Sequence, residues 1–166
     1  NMSFKIVGIG EVLWDLLPAG PQLGGAPANF ACHARALGAG ASVITRIGQD
    51  QLGGAIIDRF KRLDFSTEMI QVDPGLPTGT VSVTLNGDGI PHYVIHENVA
   101  WDRIELTDSS AIEVCQANAI CFGSLSQRTK PAAVVIQQLV AATSAETLRV
   151  FDVNLRQEFY TQEVIK

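Results

Sequence analysis

The sequence predicts a mixed α/β fold into which a β-hairpin is inserted. Short apolar segments typical of buried strands alternate with amphipathic helical segments over most of the chain, which favours a sheet covered by helices. Residues 80–85 instead alternate strictly between apolar and polar side chains, as a half-exposed strand does. The length of 166 residues, with 46% hydrophobic and 17% charged residues, fits one compact domain.

The first half of the chain predicts three strands and two helices. In order, these are strands at 4–10 and 12–17, a Gly/Pro-rich loop at 20–27, a helix at 28–37, a strand at 42–47 and a helix that runs to about residue 63. Pro27 presets the backbone angle at the start of the first helix, and Gly38 offers it an end. Asp50 has the side chain of an N-cap for the second helix.

The second half begins with the hairpin and then returns to the α/β pattern. Its predicted elements are strands at 80–85 and 91–96, a helix at 107–116, a strand at 119–123, a helix at 131–142 and a strand at 148–153. The Asn-Gly-Asp-Gly sequence at 86–89 predicts the hairpin turn. The chain stops soon after its last strand, so we expect a truncated sheet whose ligand crevice lies beyond the carboxyl ends of the strands.

Composition excludes several classes of partner. The net charge is −5 and the basic residues are scattered, whereas nucleic-acid binding needs clustered Lys and Arg, so we expect no nucleic-acid partner. No apolar run approaches the roughly 18–20 residues of a membrane helix, so we expect no membrane partner. The three cysteines, Cys32, Cys115 and Cys121, lack the paired spacing of a disulfide framework or zinc site, which favours buried free thiols and a cytoplasmic location.

Residues 24–29, with the sequence GGAPAN, form a candidate binding loop. Gly24 and Gly25 allow the backbone to approach a ligand closely, and the following helix presents free N–H groups. Asn29 lies in the first turn, where its amide can donate to and accept from a polyol. An ordinary loop followed by a helix start explains the same pattern, and the spacing alone leaves both readings open.

Three further polar side chains are candidates. Asp15 interrupts an apolar strand, where it either points outward or accepts hydrogen bonds from ligand hydroxyls. His92 and His96 share one face of their strand but lack a third metal ligand, so we expect polar residues on the wet or ligand-facing side. Arg156 follows the last strand, where it either forms a surface ion pair or binds an anion or a set of hydroxyls.

These elements together resemble a known family. The glycine pair, Pro27, Asn29 and Gly38, followed by IGQDQLG at 47–53, resemble the first signature of the PfkB/ribokinase family of sugar kinases. The stretch GEVLWDLLP at 10–18, followed by GGAPAN, is most similar to the fructokinase branch. The resemblance runs along essentially the whole chain.

The resemblance implies a ribokinase-like three-layer α/β/α sheet with a small β-sheet lid, built here from about 12–17 and 78–102. It implies that Asp15, Gly24, Gly25 and Asn29 hold sugar hydroxyls, and that Arg156 reaches the sugar or the transferring phosphate. His96 falls where many relatives carry a lid arginine.

The family's Asn-x-x-Glu and Gly-Ala-Gly-Asp motifs, the second of which supplies the catalytic base, do not occur in residues 1–166. We therefore expect the N-terminal half of one kinase domain. In this interpretation the segment contains no catalytic base, and the base is expected downstream of Lys166.

The implied reaction is transfer of the γ-phosphoryl group of ATP, with Mg²⁺, to a hydroxyl of a sugar, with fructose as the expected acceptor. Two alternatives stay open: a sugar-binding module without catalysis, and a ribose or nucleoside kinase of the same family. In the hairpin, Val81, Val83 and Leu85 face one way. We expect this apolar side to find no cover on the chain itself, which predicts a homodimer through the lid.

Overall fold

Two β-sheets organise the chain in a computed structural model that describes residues 4–85, Gly87 and 91–165. The strands are β1 (Lys5–Ile9), β2 (Leu13–Leu17), β3 (Gly20–Gly24), β4 (Gly40–Gly48), β5 (Ile70–Asp73), β6 (Gly79–Leu85), β7 (Pro91–Ile95), β8 (Ala119–Gly123) and β9 (Leu148–Asp152). The helices are α1 (Ala26–Ala36), α2 (Gln51–Arg62), α3 (Asp108–Cys115), α4 (Lys130–Ala141) and α5 (Gln162–Ile165), with 3₁₀ turns at Ala100–Arg103 and Leu125–Gln127. Lys166 lies outside the described residues. The catalytic base expected downstream of Lys166 stays a prediction.

The larger sheet is parallel, has the strand order β5-β4-β1-β8-β9 and carries helices on both faces. The neighbours Val43 and Ile44 point to opposite faces of β4. Val43 belongs to the core cluster that contains α1 and α2 residues, and Ile44 belongs to the cluster that contains α3 and α4 residues. The predicted three layers are therefore present. β5 was not predicted, since its four residues carry too little pattern to identify a strand.

The smaller sheet, called the lid here, has the order β3-β2-β6-β7. β2 pairs in parallel with β6, while β2 with β3 and β6 with β7 are antiparallel pairs. The prediction of a loop over 20–27 is wrong, because residues 20–24 form an edge strand and α1 begins at Ala26. Pro21 is tolerated there because an edge strand has N–H groups that need no partner in the sheet. Apart from Gly87, the predicted turn at 86–89 lies outside the described residues.

The inner face of the lid packs on the chain's own core. Val81 and Val83 are 4% and 8% exposed and belong to the same core cluster as Ile9 and Trp101. The expectation that the hairpin could not bury its apolar side on its own chain is therefore wrong. The side chains that the lid leaves partly exposed on its other face include Leu16 and Val94, which lie in register on either side of Ser82.

Asp50 links α2 to the start of the lid hairpin. Its carboxylate accepts the N–H of Gly53, as predicted for an N-cap, and also the N–H and hydroxyl of Thr78 at 2.8 and 2.7 Å. Burial acts to raise the pKa of Asp50, but the hydrogen bonds from Thr78 and Gly53 outweigh it and hold that pKa below 3.8. The predicted threonine caps of α3 and α4 differ in outcome. Thr107 caps α3, whereas the Thr129 side chain does not cap α4, because its hydroxyl donates to the carbonyl of Asp102.

A buried ion pair ties the Ala100–Arg103 turn to the end of the Leu125–Gln127 turn. Arg128 donates to both carboxylate oxygens of Asp102 at 2.8 and 2.9 Å, and its guanidinium lies 4.0 Å from the ring centre of Trp101. All three cysteines are free thiols, but only Cys121 is buried as predicted: Cys32 is half-buried, and Cys115 is exposed because it ends α3 at the surface. No helix in the described part of the chain combines the length and apolar character needed to cross a bilayer.

Candidate functional site

A cavity of about 430 Å³ lies between the lid and the carboxyl ends of β1, β8 and β9. This is the edge at which parallel α/β sheets bind their ligands. Its lining residues come from the lid, the start of α1 and the segments that follow these strands: Glu11, Leu13, Asp15, Gly25, Ala26, Asn29, Val81, Tyr93, Ile95, Leu125, Asn154 and Arg156. The cavity thus gathers side chains that lie up to 145 positions apart in the sequence, counted from Glu11 to Arg156.

Asp15 reaches the cavity from the middle of β2. None of the described residues donates a hydrogen bond to its carboxylate, and partial burial raises the pKa of Asp15 above 3.8. The carboxylate lies over Gly24, where an added Cβ would come within 2.6 Å of its Oδ2 atom. Gly24 therefore makes room for Asp15 rather than lining the cavity itself. A carboxylate without a protein donor is available to accept hydroxyl groups of a ligand.

Gly25 and Asn29 bring the start of α1 to the cavity. Gly25 has φ of 111°, and a Cβ there would lie 2.3 Å from the carbonyl oxygen of Glu11, so only glycine fits. The carbonyl of Gly25 accepts the N–H of Asn29 at 2.9 Å, which starts the helix. The Asn29 amide is thereby held on an exposed position at the cavity wall.

Arg156 approaches the cavity from the segment after β9. Its Nε donates to Oδ1 of Asn154 at 2.8 Å, and the carbonyl of Asn154 accepts the hydroxyl of Ser124 at 3.1 Å. The guanidinium is exposed and forms no ion pair with a described carboxylate. Its remaining N–H groups are free to donate to a ligand, and Asn154 orients the side chain toward the cavity that both residues line.

His96 is a predicted site residue that the structure keeps away from the cavity. Its Nε2 lies 2.7 Å from the Ser82 hydroxyl, and Ser82 faces the side of the lid opposite to Val81. The strand alternation contains the signal that was missed. Residues in register with Val81 face the cavity, which selects Ile95 and, two positions earlier, Tyr93.

Glu11 is a further cavity residue that the sequence analysis did not single out. It follows the end of β1 by two positions, after Gly10, and is 1% exposed. Burial raises the pKa of Glu11 above 4.5, while hydrogen bonds from Ser126 and the Ala26 N–H oppose that rise; the nearby charge of Asp152 adds to it. Its position at the carboxyl end of a buried strand was the available signal.

The chemistry of the cavity suits a polyhydroxylated molecule. Its apolar lining consists of Leu13, Val81 and Ile95 from the lid and Leu125 from the turn after β8. Asp15, Asn29 and Arg156 add an acceptor, an amide and a cationic donor to this lining, and Asp15 lies beside Val81 on the lid. In the described part of the chain, no three His, Cys, Asp or Glu side chains converge to hold a metal ion.

Comparisons with known proteins agree with this description. A putative sugar kinase of Pyrococcus horikoshii is 30% identical over 100% of this chain and 58% of its own length. Probable fructokinase-2 of Arabidopsis thaliana is 28% identical over 93% of this chain and 51% of its own length. The chain therefore spans about half the length of these relatives.

Solved structures show the same fold. The crystal structure of an uncharacterized sugar kinase from Pyrococcus horikoshii matches 97% of this chain and 57% of its own chain with a TM-score of 0.87 and 29% identity, and a second structure of it contains ATP. The ribokinase-like α/β prediction is thus confirmed. The model of the pfkB family of carbohydrate kinases matches residues 21–166. The chain accordingly belongs to the pfkB family of carbohydrate kinases.

Proposed function

We propose that the complete protein, meaning the product of the complete reading frame, transfers the γ-phosphoryl group of ATP to a hydroxyl of a sugar, with fructose as the preferred acceptor. The described residues would supply the acceptor-binding half of that site. The observation that carries this proposal is the convergence of Asp15, Asn29 and Arg156 on one cavity between lid and sheet. These residues come from three separate segments and offer complementary hydrogen-bonding groups.

Each side chain has a distinct role in this proposal. The Asp15 carboxylate accepts hydrogen bonds from sugar hydroxyls and transfers no proton, and the Asn29 amide both donates and accepts. Arg156 donates to the sugar or to the phosphoryl group as negative charge shifts during transfer. The apolar side chains of Val81 and Leu125 pack against the C–H groups of the sugar ring.

ATP and Mg²⁺ enter the proposal as the cofactors that the family resemblance implies. Phosphoryl transfer is catalysed mainly by positioning and charge stabilisation, to which Mg²⁺ contributes by neutralising phosphate oxygens. An ATP complex of a 30% identical relative supports the use of ATP. The catalytic base and the nucleotide-binding residues are expected downstream of Lys166, so this segment alone should not turn over.

One observation favours a second candidate, a sugar-binding module without catalysis. The acceptor, amide and cationic donor that such a module would use to bind a sugar all lie in the described residues. A module of this kind would bind sugar with comparable affinity in the presence and absence of ATP and would release no ADP.

A coupled assay of ADP release by the complete protein tests the proposal. The acceptors are fructose, glucose, ribose, adenosine and a sugar acid, each with Mg·ATP. Fructose is expected to give the highest kcat/KM. Faster turnover of ribose or adenosine would mean that fructose is not the preferred acceptor. Sugar binding with no ADP release would favour the binding module.

The homodimer and the cytoplasmic location stay predictions. The apolar surface that predicts the dimer from the sequence is buried in the chain's own core, so any lid interface would use the other face, where Leu16 and Val94 are both 37% exposed. Light scattering of the complete protein tests this: a dimer should dissociate with Val94→Lys. A monomeric wild type, or a dimer indifferent to Val94→Lys, would contradict a lid interface.

A further inference from the structure

The buried carboxyl of Glu11 joins three segments beneath the cavity. One oxygen accepts the N–H of Ala26, the first residue of α1, at 3.2 Å, and the other accepts the hydroxyl of Ser126 in the Leu125–Gln127 turn. The N–H of Glu11 in turn donates to Ser126 Oγ at 3.2 Å. The end of β1, the start of α1 and the turn after β8 are therefore connected through one side chain.

The same three segments approach each other too closely for side chains. A Cβ at Gly10 would lie 2.1 Å from Ser126 Oγ, and one at Gly25 would lie 2.3 Å from the carbonyl oxygen of Glu11. Such separations are far below van der Waals contact. The glycines set how near the segments come, and the Glu11 hydrogen bonds set how they are oriented.

The position of Glu11 is costly for a carboxyl group, since a buried ionisable group loses its hydration and must be compensated by hydrogen bonds. The residue is 1% exposed, and the charge of the nearby Asp152 opposes its ionisation further. An apolar side chain would avoid that cost but would leave the Ala26 N–H and the Ser126 hydroxyl without this acceptor. What the carboxyl contributes is thus the linkage itself.

Both linked segments carry cavity residues. α1 holds Asn29 one turn beyond Ala26, and the turn after β8 holds Leu125, one of the apolar residues that line the cavity. A displacement of either segment would shift a polar or an apolar contact with the ligand.

We propose that Glu11 is a positioning residue of the acceptor cavity, whose carboxyl fixes the start of α1 and the Leu125–Gln127 turn relative to β1 and to each other. That the ligand is a sugar phosphorylated by the protein rests on the proposed function. The linkage itself rests on the hydrogen bonds of Glu11 with Ala26 and Ser126.

Two variants of the complete protein separate this role from direct contact with the sugar. Glu11→Ala removes the linkage and should raise the KM for sugar by about ten- to a hundredfold, since small displacements of positioned groups are expensive, while the KM for ATP changes less than about twofold. In Glu11→Gln, the amide oxygen can still accept from Ala26 and the amide NH₂ can donate to Ser126 Oγ. This variant should return the sugar KM to within about threefold of wild type.

Glu113→Ala is the matched control. Glu113 likewise accepts a serine hydroxyl, that of Ser42 at 2.6 Å, but it lies on α3 and does not line the cavity. The KM of the Glu113→Ala variant for sugar should equal that of wild type. An unchanged sugar KM in Glu11→Ala would overturn the proposal. Equal impairment in Glu11→Gln and Glu11→Ala would also overturn it, because a side chain that can still hydrogen-bond Ala26 and Ser126 would then fail to position the two segments.

Hydrogen–deuterium exchange decides the question independently of activity. In Glu11→Ala, peptides that cover 24–30 and 124–129 should exchange faster than in wild type, while peptides of α2 should not. Unchanged exchange in both peptides would overturn the positioning role of Glu11, whatever the activity of the protein. A wild type that phosphorylates no sugar would refute the proposed function but not the positioning role. If Glu11→Ala does not fold, Ser126→Ala, which removes two of the three contacts, takes its place with the same expectations.

Discussion

Replacement of Asp15 by alanine tests the acceptor cavity most directly. The Asp15 carboxylate has no hydrogen-bond donor among the described residues, so its removal leaves no buried protein group unpaired. The loss should therefore appear in sugar binding rather than in stability. Hydrogen bonds to a charged group contribute about 1.5–3 kcal/mol each, which corresponds to a fall of about ten- to two-hundredfold in kcat/KM for one such bond to the sugar.

The assay is steady-state ADP release by the complete protein with fructose and Mg·ATP. Asp58→Ala is the control, because Asp58 is an exposed aspartate on α2 that does not line the cavity. It should behave as wild type, and both variants should keep the wild-type midpoint of thermal unfolding. If Asp15→Ala retains the wild-type kcat/KM for fructose, Asp15 does not bind the acceptor and the reasoning is refuted.

The raised pKa of Asp15 adds a pH dependence to this prediction. Burial stabilises the neutral acid and lifts the pKa above 3.8, so acidification converts the acceptor carboxylate to its protonated form earlier than in a free aspartate. The Kd for sugar should therefore rise as the pH falls toward and through that raised pKa. In Asp15→Asn this rise should be absent, since the amide does not titrate.

Three further predictions concern stability, measured by urea unfolding of the complete protein. Gly25→Ala should cost at least about 1–3 kcal/mol, because it combines a left-handed backbone with a backbone clash, whereas Gly54→Ala, in an open helical position, should stabilise by about 0.5–1 kcal/mol. In Asp50→Asn, the free energy of unfolding should fall less steeply than in wild type as the pH drops below about 4. The pKa of Asp50 is lowered in the folded state, so its ionised carboxylate stabilises the wild type above pH 3.8, and that stabilisation is lost as the pH falls further. Asp102→Ala should cost about 3–5 kcal/mol, since it leaves the buried charge of Arg128 unpaired; an unchanged unfolding midpoint would contradict the ion pair.

Much of the fold could be predicted from the sequence because its signals are local. The N-cap at Asp50 acts on a hydrogen bond three residues away, and the apolar segments of β1 and β8 identify buried strands without knowledge of their neighbours. Of the candidate site residues, Asp15, Gly25, Asn29 and Arg156 line the cavity, and Gly24 lies beside it beneath Asp15. The family resemblance was sufficient for these, together with position at a helix start for Gly25 and Asn29 and after a strand end for Arg156.

What only the tertiary structure decided depends on contacts between distant segments. Gly20–Gly24 is a strand because β2 pairs with it, and nothing in its glycine- and proline-containing sequence favours that conformation. Alternation in the hairpin puts Tyr93 on the apolar face and His96 on the other, but it could not show that the apolar face is the one that packs on the core and lines the cavity. Glu11 and Ser126 are 115 positions apart, so the local pattern of apolar and polar residues does not indicate their contact. Pairing and packing of this kind are settled only when the sheets form.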